Sequence, residues 1–341
     1  MSARLLAIAA AAVVMTAAPA AAATLLVTSA ADAGQATLRD AIEQANASDD
    51  AATIQIRIGA DEVIEVASAL PEIAAEGTVL DGGGATLREG PGCSRSGGKE
   101  GCDGIVVTGP RVTVRNLTSA GFTFDGVSVR GARASHVRVH DVVAVDNLDD
   151  GIGVSDAAGP VLVERCLLMG NGFRTKGKGL LVFDNSEATL RDSLVVANRD
   201  GVTVTKNSDV RIERSIIVGS FDKGLGAGDA GITGTDVLIA ANGTGDEFEA
   251  EVPNGDGLRL SLRSKAKLTN ARIDGNGDSG VVAIDGSRVE LSGGSIAGNG
   301  GHGVLAGRDA VVRASGVVIE NNAKGAVQTT EGGKVSVPEP P

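Results

Sequence analysis

The sequence contains almost no aromatic side chains. Among its 341 residues there is no Trp and no Tyr, and only six residues are Phe. A compact globular core usually includes many aromatic side chains, so this composition argues against such a core. The 49 glycines and the many small aliphatic residues instead favour the narrow interior of a stacked repeat protein.

Cysteine is scarce as well. Cys93 and Cys102 enclose a loop rich in Gly and Ser, and in an oxidising compartment this pair predicts a structural disulfide. The third cysteine, Cys166, lies in a strand-like run, where we expect a buried apolar residue. The three histidines have no metal-ligand spacing, so they predict no metal site.

Long apolar runs are confined to the N-terminus. Arg4 precedes the uncharged apolar run Leu5 to Ala18, which is followed by Pro19 and by four alanines ending at Ala23. This pattern predicts a signal peptide over residues 1–23 and a secreted or periplasmic chain. No later stretch approaches the roughly 20 apolar residues of a spanning helix, so we expect no membrane span.

Cations are fewer than anions. The formal net charge is −12, and without residues 1–23, which hold one cation and no anion, it is −13. Nucleic acids and anionic membrane surfaces are therefore poor candidate partners. A polyanionic sugar would need a bridging cation.

The chain repeats a unit of about 22 residues. Each unit begins with a glycine that is followed by an apolar residue. The ten glycines are Gly104, Gly126, Gly151, Gly179, Gly201, Gly224, Gly257, Gly280, Gly303 and Gly325. Six of the nine steps between them are 22 or 23 residues, which indicates one repeated structural unit. We expect these glycines to supply a corner with positive φ.

A second marker follows most of these glycines by 18 to 21 residues. It is Asn147, Asn171, Asn198, Ser220, Asn242, Asn276, Asn299 or Asn321. Asparagine amides at one repeated corner can hydrogen bond from coil to coil, so the seven asparagines predict a structural ladder.

Strand-like segments lie between the two markers. Val161–Glu164 and Val210–Glu213, for example, are rich in Val, Ile and Leu, with apolar residues at alternate positions, and no helical pattern occurs inside the repeats. A repeat this small must bury its apolar face against its neighbours. The sequence therefore predicts an all-β, single-stranded, right-handed parallel β-helix. A leucine-rich repeat would need regular Leu positions, and a calcium-binding β-roll would need its tandem glycine motif.

One amphipathic helix precedes the repeats. Thr37–Asn46 places Leu38, Ile42 and Ala45 on one face, which predicts a short N-terminal capping helix. The predicted organisation is a cap at 24–60, a parallel β-helix at 61–337 and a Pro-rich tail at 338–341. At the open C-terminal edge of the sheet, we expect proline and charged residues to prevent further strand pairing, or a partner to cover the edge.

The helical segment carries a family resemblance. Thr37–Asn46 resembles the CSLREA-type leader of bacterial secreted β-helix proteins, with Ala36, Thr37 and Asp40 where that motif has Cys, Ser and Glu. Leu70–Ile73 and Thr78–Gly84 look like the entry coils of the same group. Together with the repeats, the chain resembles the pectate-lyase-like β-helix superfamily. The resemblance implies the fold and leaves the activity open.

The strand that opens each coil presents alternate residues outward. Most of these residues are small or apolar, and none is a carboxylate. The outward residues nearer to the coil-starting glycines are Val106, Ser128, Gly153, Leu181, Thr203, Gly226, Arg259, Val282 and Leu305. In the superfamily's lyases and hydrolases a strand face and its flanking loops hold the active site, so here the loops are the place to search.

Two insertions at one corner carry opposite charges. The first holds Phe173, Arg174, Lys176 and Lys178, and the second holds Asp246, Glu247, Phe248, Glu249, Glu251 and Asp256. They belong to coils three apart, roughly 14 Å along the axis. The sequence predicts a ligand-binding corner, the alternative being two solvated loops that pair with each other. Its predicted members are Phe173, Arg174, Phe183, Phe221, Glu247 and Phe248.

The same corner holds the candidates for catalysis. They are Asp149, Asp150, Lys176, Arg199, Asp200 and Asp222. Asp149-Asp150 resembles the paired aspartates of polygalacturonases, and Gly301-His302-Gly303 resembles their Gly-His-Gly motif. Six repeats separate these segments here, whereas that family places them one coil apart, so the match fails as a site. We expect no resident cofactor, with calcium at Asp149 and Asp150 or at the acidic insertion as the alternative.

Two hypotheses of function follow. The preferred one is a non-catalytic extracellular or envelope module that binds carbohydrate or an envelope protein. The alternative is a polysaccharide lyase or glycoside hydrolase acting at the corner. Whether the chain is an enzyme is left open by the sequence.

Overall fold

The computed structural model describes residues 23–48, 50–59, 61–95, 99–173, 177–243 and 255–337. Within these residues the chain is a parallel β-solenoid of about eleven turns with one short helix. The all-β solenoid predicted from the repeats is therefore confirmed. The predicted signal peptide, except Ala23, and the predicted tail lie outside the described residues.

The elements are numbered in chain order. The first are β1 (Ala23–Val27), α1 (Leu38–Asn46), β2 (Ala52–Ile56), β3 (Val63–Val66), β4 (Val79–Asp81), β5 (Thr86–Glu89), β6 (Ser94–Arg95), β7 (Lys99–Glu100), β8 (Ile105–Val107), β9 (Thr113–Ala120), β10 (Val127–Arg130) and β11 (Arg138–Val145). Next come β12 (Ile152–Ser155), β13 (Val161–Glu164), β14 (Leu167–Met169), β15 (Lys178–Phe183), β16 (Glu187–Arg191), β17 (Leu194–Val196), β18 (Asp200–Thr205), β19 (Asp209–Glu213), β20 (Ile216–Val218), β21 (Leu225–Gly228), β22 (Gly231–Thr235) and β23 (Leu238–Ala240). The last are β24 (Leu258–Ser261), β25 (Lys265–Asp274), β26 (Val281–Ala283), β27 (Arg288–Ala297), β28 (Val304–Ala306), β29 (Val311–Ser315), β30 (Val318–Glu320), β31 (Val327–Thr329) and β32 (Lys334–Ser336).

A complete coil contributes a first, a second and a third strand. The first strands are β8, β10, β12, β15, β18, β21, β24, β26, β28 and β31, and they form one ten-stranded sheet. The second and third strands belong to one twenty-stranded sheet, because β9, β11, β25 and β27 run through both positions. The interior is filled by Val, Ile, Leu and Ala, and Phe122 is the largest fully buried side chain.

The N-terminal end is closed by α1. Thr37 is the N-cap, and its side chain accepts a hydrogen bond from the Asp40 N–H. Leu38, Ile42 and Ala45 are buried, so the predicted capping helix and its apolar face are confirmed. Both β1 and β2 already belong to the twenty-stranded sheet, so strand stacking begins before residue 61.

The asparagine ladder forms in two runs. In the first, the N–H and the Nδ2 of Asn147 each donate to Oδ1 of Asn171 over 3.0 Å, and Asn171 donates likewise to Asn198. The second run is Asn242, Asn276, Asn299 and Asn322. Ser220 stands between the runs, and its Oγ is buried without a hydrogen-bond partner among the described residues.

The last asparagine of the predicted ladder was wrong by one residue. Asn299 donates to Asn322, whereas Asn321 is exposed and has a φ of 56°. The pairing of β27 with β30 places Asn321 beside Gly298, which also has positive φ and directly precedes a ladder asparagine. Asn321 therefore makes the left-handed bend that precedes the ladder position, and Asn322 occupies the ladder position itself.

The role predicted for the coil-starting glycines was also wrong. All ten lie within the described residues, and only Gly325 has a positive φ. A Cβ at Gly126 would lie 2.6 Å from Nδ2 of Asn147 and 2.8 Å from the carbonyl oxygen of Gly151. At seven of the ten positions a ladder amide occupies the space that a side chain would take, so glycine is needed there for want of room. In the last coil, Val304 pairs with Val327, so Ala326 rather than Gly325 occupies this position.

The predicted disulfide between Cys93 and Cys102 is confirmed. It closes a loop that carries the short antiparallel hairpin of β6 and β7. Cys166 is buried and free, as expected for an apolar interior residue.

Candidate functional site: the ten-stranded face

The outward residues of the first strands form one continuous row. The register aligns the nine residues predicted for it, from Val106 to Leu305, and Gln328 extends the row in β31. Most of these side chains are small, and the row therefore forms a shallow surface along the solenoid axis.

A second column borders this row, and sequence reasoning missed it. It consists of the residues directly before the first nine coil-starting glycines, and we call it the pre-glycine column. Its members are Asp103, Asp125, Asp150, Lys178, Asp200, Lys223, Asp256, Ser279 and His302. The repeated Asp-Gly pairs in the sequence were the available signal. The outward strand residues carry no carboxylate, as predicted, but the column beside them carries five.

Several of these carboxylates hold the next coil. Oδ1 of Asp125 accepts a hydrogen bond from the backbone N–H of Asp150 over 3.3 Å, and Oδ1 of Asp150 accepts one from Lys178 over 2.7 Å. Further along, Oδ1 of Asp256 accepts from the N–H of Ser279 over 3.2 Å. The column therefore works as a second ladder that satisfies backbone donors at this edge.

Burial and mutual repulsion favour the protonated forms of Asp125 and Asp150, near the N-terminal end of the column. Burial raises the pKa of Asp125, and the charges of Asp103 and Asp149 raise it further. Burial likewise raises the pKa of Asp150, with added repulsion from Asp125 and Asp149. These neighbouring carboxyl groups therefore do not all ionise together at neutral pH.

The middle of the column is an ion-pair cluster. Nζ of Lys223 lies 2.8 Å from Oδ2 of Asp200 and 3.3 Å from Oδ2 of Asp222. Burial lowers the pKa of Lys223, but the two carboxylates outweigh burial and the net shift is upward. Lys223 therefore stays cationic and is unsuited to act as a general base. The Arg199 guanidinium lies 5.8 Å from the ring centroid of Phe221, a cation–π distance.

The structure brings most of the predicted catalytic residues to this one edge. Asp149 and Asp150 precede β12, Arg199 and Asp200 stand at the start of β18, and Asp222 precedes β21. Lys176, Arg174, Glu247 and Phe248 lie outside the described residues, as do Asp246, Glu249 and Glu251. Phe173 is half exposed where the first insertion leaves the coil.

Phe183, a predicted member of the ligand-binding corner, lies away from the pre-glycine column. It stands at the far end of β15 from Lys178, so roughly 16 Å of extended strand separates it from the column. Its ring contacts Lys206, whose Nζ lies 5.2 Å from the centroid. Phe221, by contrast, lies at the column.

A cleft of about 360 Å³ opens at the C-terminal end of the same face. Its wall combines the column residues Asp256, Ser279 and His302 with Arg259 and Gln328 from the outward row. Arg259 Nη1 lies 2.7 Å from Oδ2 of Asp256. Nδ1 of His302 is buried and has no hydrogen-bond partner among the described residues.

Asp256 is the most strongly perturbed group of this cleft. Burial raises its pKa to about 7, even though the hydrogen bond and charge of Arg259 act in the opposite direction. The carboxyl is only 1% exposed. It therefore supports the cleft wall and is shielded from a ligand in the cleft.

The cleft offers chemistry for hydrogen bonding to hydroxyl groups. Arg259, His302 and Gln328 supply donors and acceptors, while Val282 and Leu305 supply apolar surface. Within the described ranges, no group of three or more His, Cys, Asp or Glu side chains could hold a metal ion. No helix in the described part of the chain is long and apolar enough to cross a membrane.

Comparison with known proteins agrees with this architecture. The family described as "Right handed beta helix region" matches residues 94–244 and 247–338. No curated protein sequence matches the chain.

Solved structures with a similar fold include the following three. A double mutant of the periplasmic alginate epimerase AlgG is 15% identical with a TM-score of 0.60, covering 85% of this chain and 75% of its own. The Azotobacter vinelandii mannuronan C-5 epimerase AlgE6 A-module is 15% identical with a TM-score of 0.53, and the match covers 94% of this chain and 100% of that structure. The catalytic unit of the GH87 α-1,3-glucanase from Streptomyces thermodiastaticus is 14% identical with a TM-score of 0.53, covering 94% and 69%.

At such low identity these likenesses concern the fold alone. The family match covers most of the chain, and the stacked parallel coils agree with it. The predicted right-handed parallel β-helix is thereby confirmed, and this chain belongs to the right-handed β-helix family.

Proposed function

We propose that this chain is a non-catalytic module that binds an extracellular polysaccharide along its ten-stranded face. The cleft beside Arg259 and His302 is the principal contact in this proposal. The observation that carries it is the use of the face's buried carboxylates as structural groups, which hold backbone donors or neighbouring cations.

The shape of the face suits a long polymer. The outward row runs along the axis with one residue per coil, so a chain ligand could meet a similar surface every 4.8 Å or so. The similar structures carry the names of enzymes that act on alginate, mannuronan and α-1,3-glucan, which supports a polysaccharide ligand.

The chemistry of the face argues against cleavage. Glycoside hydrolysis needs two carboxyl groups on either side of the scissile bond, one of them protonated. Asp256 has the raised pKa of an acid but is 1% exposed and bonded to Ser279 and Arg259. Asp200 is likewise buried against Lys223.

The charge of the face favours an uncharged polymer. The column contains five aspartates against two lysines, and the formal charge of the chain is −12. A polyuronate would meet repulsion that its binding contacts must overcome. We therefore propose a neutral polysaccharide, bound outside the cytoplasm and without a metal cofactor.

The test combines binding and turnover. The purified chain is incubated with insoluble and soluble neutral polysaccharides, and separately with alginate and pectate, with calcium or with chelator. We expect retention on at least one neutral polymer, unchanged by chelator, with no new reducing ends and no unsaturated sugars. Release of either product would overturn the non-catalytic proposal.

Two variants locate the binding. Leu305→Lys places a long cation in the cleft, whereas Thr233→Lys places the same side chain on an exposed second strand. We expect the first variant to lose retention and the second to keep it. Equal retention by both would remove the cleft from the proposal.

One observation favours the second candidate function, a lyase or hydrolase. Asp149, Arg199, Asp200 and Asp222 share one edge of the face with Lys223. If polymer degradation is detected, Asp149→Asn and Asp222→Asn should abolish it, while Asp209→Asn, an exposed carboxylate on a second strand, should not.

A further inference from the structure

The third strands of five consecutive coils carry only aliphatic residues on their outer side. The register sets these residues in two parallel rows, which we call the aliphatic face. The rows are Val143, Leu167, Leu194, Ile216 and Leu238, and Val145, Met169, Val196, Val218 and Ala240.

These side chains are not part of the core. The intervening residues of the same strands, such as Leu168, Val195 and Ile217, point inward and are fully buried. On the outer side, Met169 is 37% exposed, Leu194 37% and Ile216 41%. Solvent therefore meets a continuous apolar surface that the fold itself does not require.

The neighbouring surfaces are polar, so the aliphatic face has definite borders. The second strands of the same coils present mostly charged residues and threonines, such as Arg211 and Thr233, and Leu162 is the apolar exception in that row. Along the axis, the first row continues into Thr118 on one side and Arg272 on the other.

One long border of the face is a column of alternating charges. The bend between second and third strands is made by residues with positive φ, and in these five coils they are Asp141, Arg165, Asp192, Arg214 and Asp236. Arg165 bonds both carboxylate oxygens of Asp141 over 2.8 Å. Arg214 bonds both oxygens of Asp192 over 2.7 and 2.8 Å. Both ion pairs are partly exposed.

We propose that the aliphatic face associates with the same face of a second copy of this chain, with the two solenoid axes antiparallel. A flat face of this kind can pack on an identical one through a two-fold axis parallel to the strands. The charged columns of both copies then lie along the same border and run in opposite directions.

The alternation of charge fixes where this two-fold axis can lie. If the axis passes between two coils, each Asp faces an Arg of the other copy, as for Asp192 opposite Arg214 and Arg165 opposite Asp236. If the axis passes through a coil, Asp faces Asp and Arg faces Arg. The column is therefore complementary to itself only in the registers between coils.

The size of the face sets the strength of the association. Five strands at about 4.8 Å and about three residues each give a face of roughly 24 by 10 Å. This is well below the roughly 800 Å² per partner of a standard stable interface. The dimer is therefore reversible and fills only at high protein concentration.

Disulfide trapping tests both the face and the register. Leu194→Cys and Ile216→Cys are made as two separate proteins, and so is Leu167→Cys. In the permitted registers, Leu194 faces either Ile216 or Leu167 of the other copy. One of the two mixtures that contain Leu194→Cys should therefore form a disulfide-linked dimer. Each protein alone should not. Cys166 does not compete, because it is buried and burial raises the pKa of its thiol to about 12.

The control pair lies on the adjacent second strands. Arg211→Cys and Thr233→Cys are exposed and pair with each other across neighbouring coils, and their mixture should give no covalent dimer. Cross-linking of Leu194→Cys alone as readily as in the mixtures would overturn the register. Cross-linking of the control pair to the same extent would overturn the choice of face.

Sedimentation of the protein without cysteine substitutions provides an independent measurement. Sedimentation should give an average mass that rises above one copy as the concentration increases, and Ile216→Glu should stay at one copy. A mass of one copy for the unmodified protein at every concentration would overturn the proposal. This outcome is independent of whether the ten-stranded face binds a polysaccharide.

Discussion

The raised pKa of Asp256 makes a specific prediction about stability. Its carboxyl is 1% exposed, and burial raises its pKa to about 7 although Arg259 lies 2.7 Å away. Replacing it with Asn keeps the shape and an oxygen that can accept from the Ser279 N–H, but removes the ionisation.

The direction of the effect follows from the two states. In the unfolded chain this carboxyl returns to an ordinary pKa of 3.8. A pKa raised in the folded state means that its contribution is fully present below about pH 4 and is lost as the pH rises through about 7. The difference between a pKa of about 7 in the folded state and 3.8 in the unfolded state corresponds to about 4 kcal/mol of free energy. An asparagine amide cannot titrate, so the Asp256→Asn variant should lack this loss.

Urea unfolding of both proteins between about pH 4 and pH 8 measures the effect. The free energy of unfolding of the wild type relative to Asp256→Asn should fall by about 4 kcal/mol across this range. Groups such as Asp141 and Asp192, whose pKa values are lowered by arginine partners, titrate equally in both proteins and cancel. Asp209→Asn, an exposed matched control, should show no such trend. A difference between wild type and Asp256→Asn that stays constant with pH would refute the reasoning.

Three further predictions concern the ladder. Asn171→Ala removes the acceptor of two donors of Asn147 and should lower the free energy of unfolding by about 4 kcal/mol, whereas Asn321→Ala, outside the ladder, should change it by about 1 kcal/mol or less in urea unfolding. Ser220→Asn should supply the missing rung and raise the melting temperature, and a decrease would show that no room exists for the amide. Gly126→Ala should lower the free energy of unfolding by about 3 kcal/mol, because its Cβ meets the ladder amide. Gly275→Ala, which has a positive φ and open space, should lower it by about 1 kcal/mol, and equal losses would contradict the steric explanation.

The regular part of the fold was predictable because it depends on spacing. A coil length of about 22 residues, strand-like segments and an asparagine at one corner leave few architectures, and the disulfide followed from two cysteines in one loop. The helix at Leu38–Asn46 followed from its apolar spacing and from Thr37 as N-cap.

The errors came from features that spacing does not encode. Asn321 and Asn322 are adjacent and chemically identical, and only the bend at the preceding position distinguishes the rung from the residue before it. The coil-starting glycines looked like turn residues, yet their reason is a side chain from elsewhere in the coil.

The candidate site was only partly predictable for a similar reason. Asp149, Asp200 and Asp222 were chosen as neighbours of a corner, and they do share one edge. The cleft at Arg259 and His302 was missed, because it combines a strand residue with a pre-glycine residue from another coil. Arg259 belongs to no local motif, and the Gly-His-Gly motif around His302 had been rejected as a site because of its distance from Asp149-Asp150.

Hydroxyl-radical footprinting with the polysaccharide retained by the protein is the most direct test of the binding face. We expect protection of His302 and Leu305, unchanged reactivity of Met169 and Phe183, and a polymer of unchanged length. Protection of Met169 without protection of His302, or progressive shortening of the polymer, would contradict non-catalytic binding at this face.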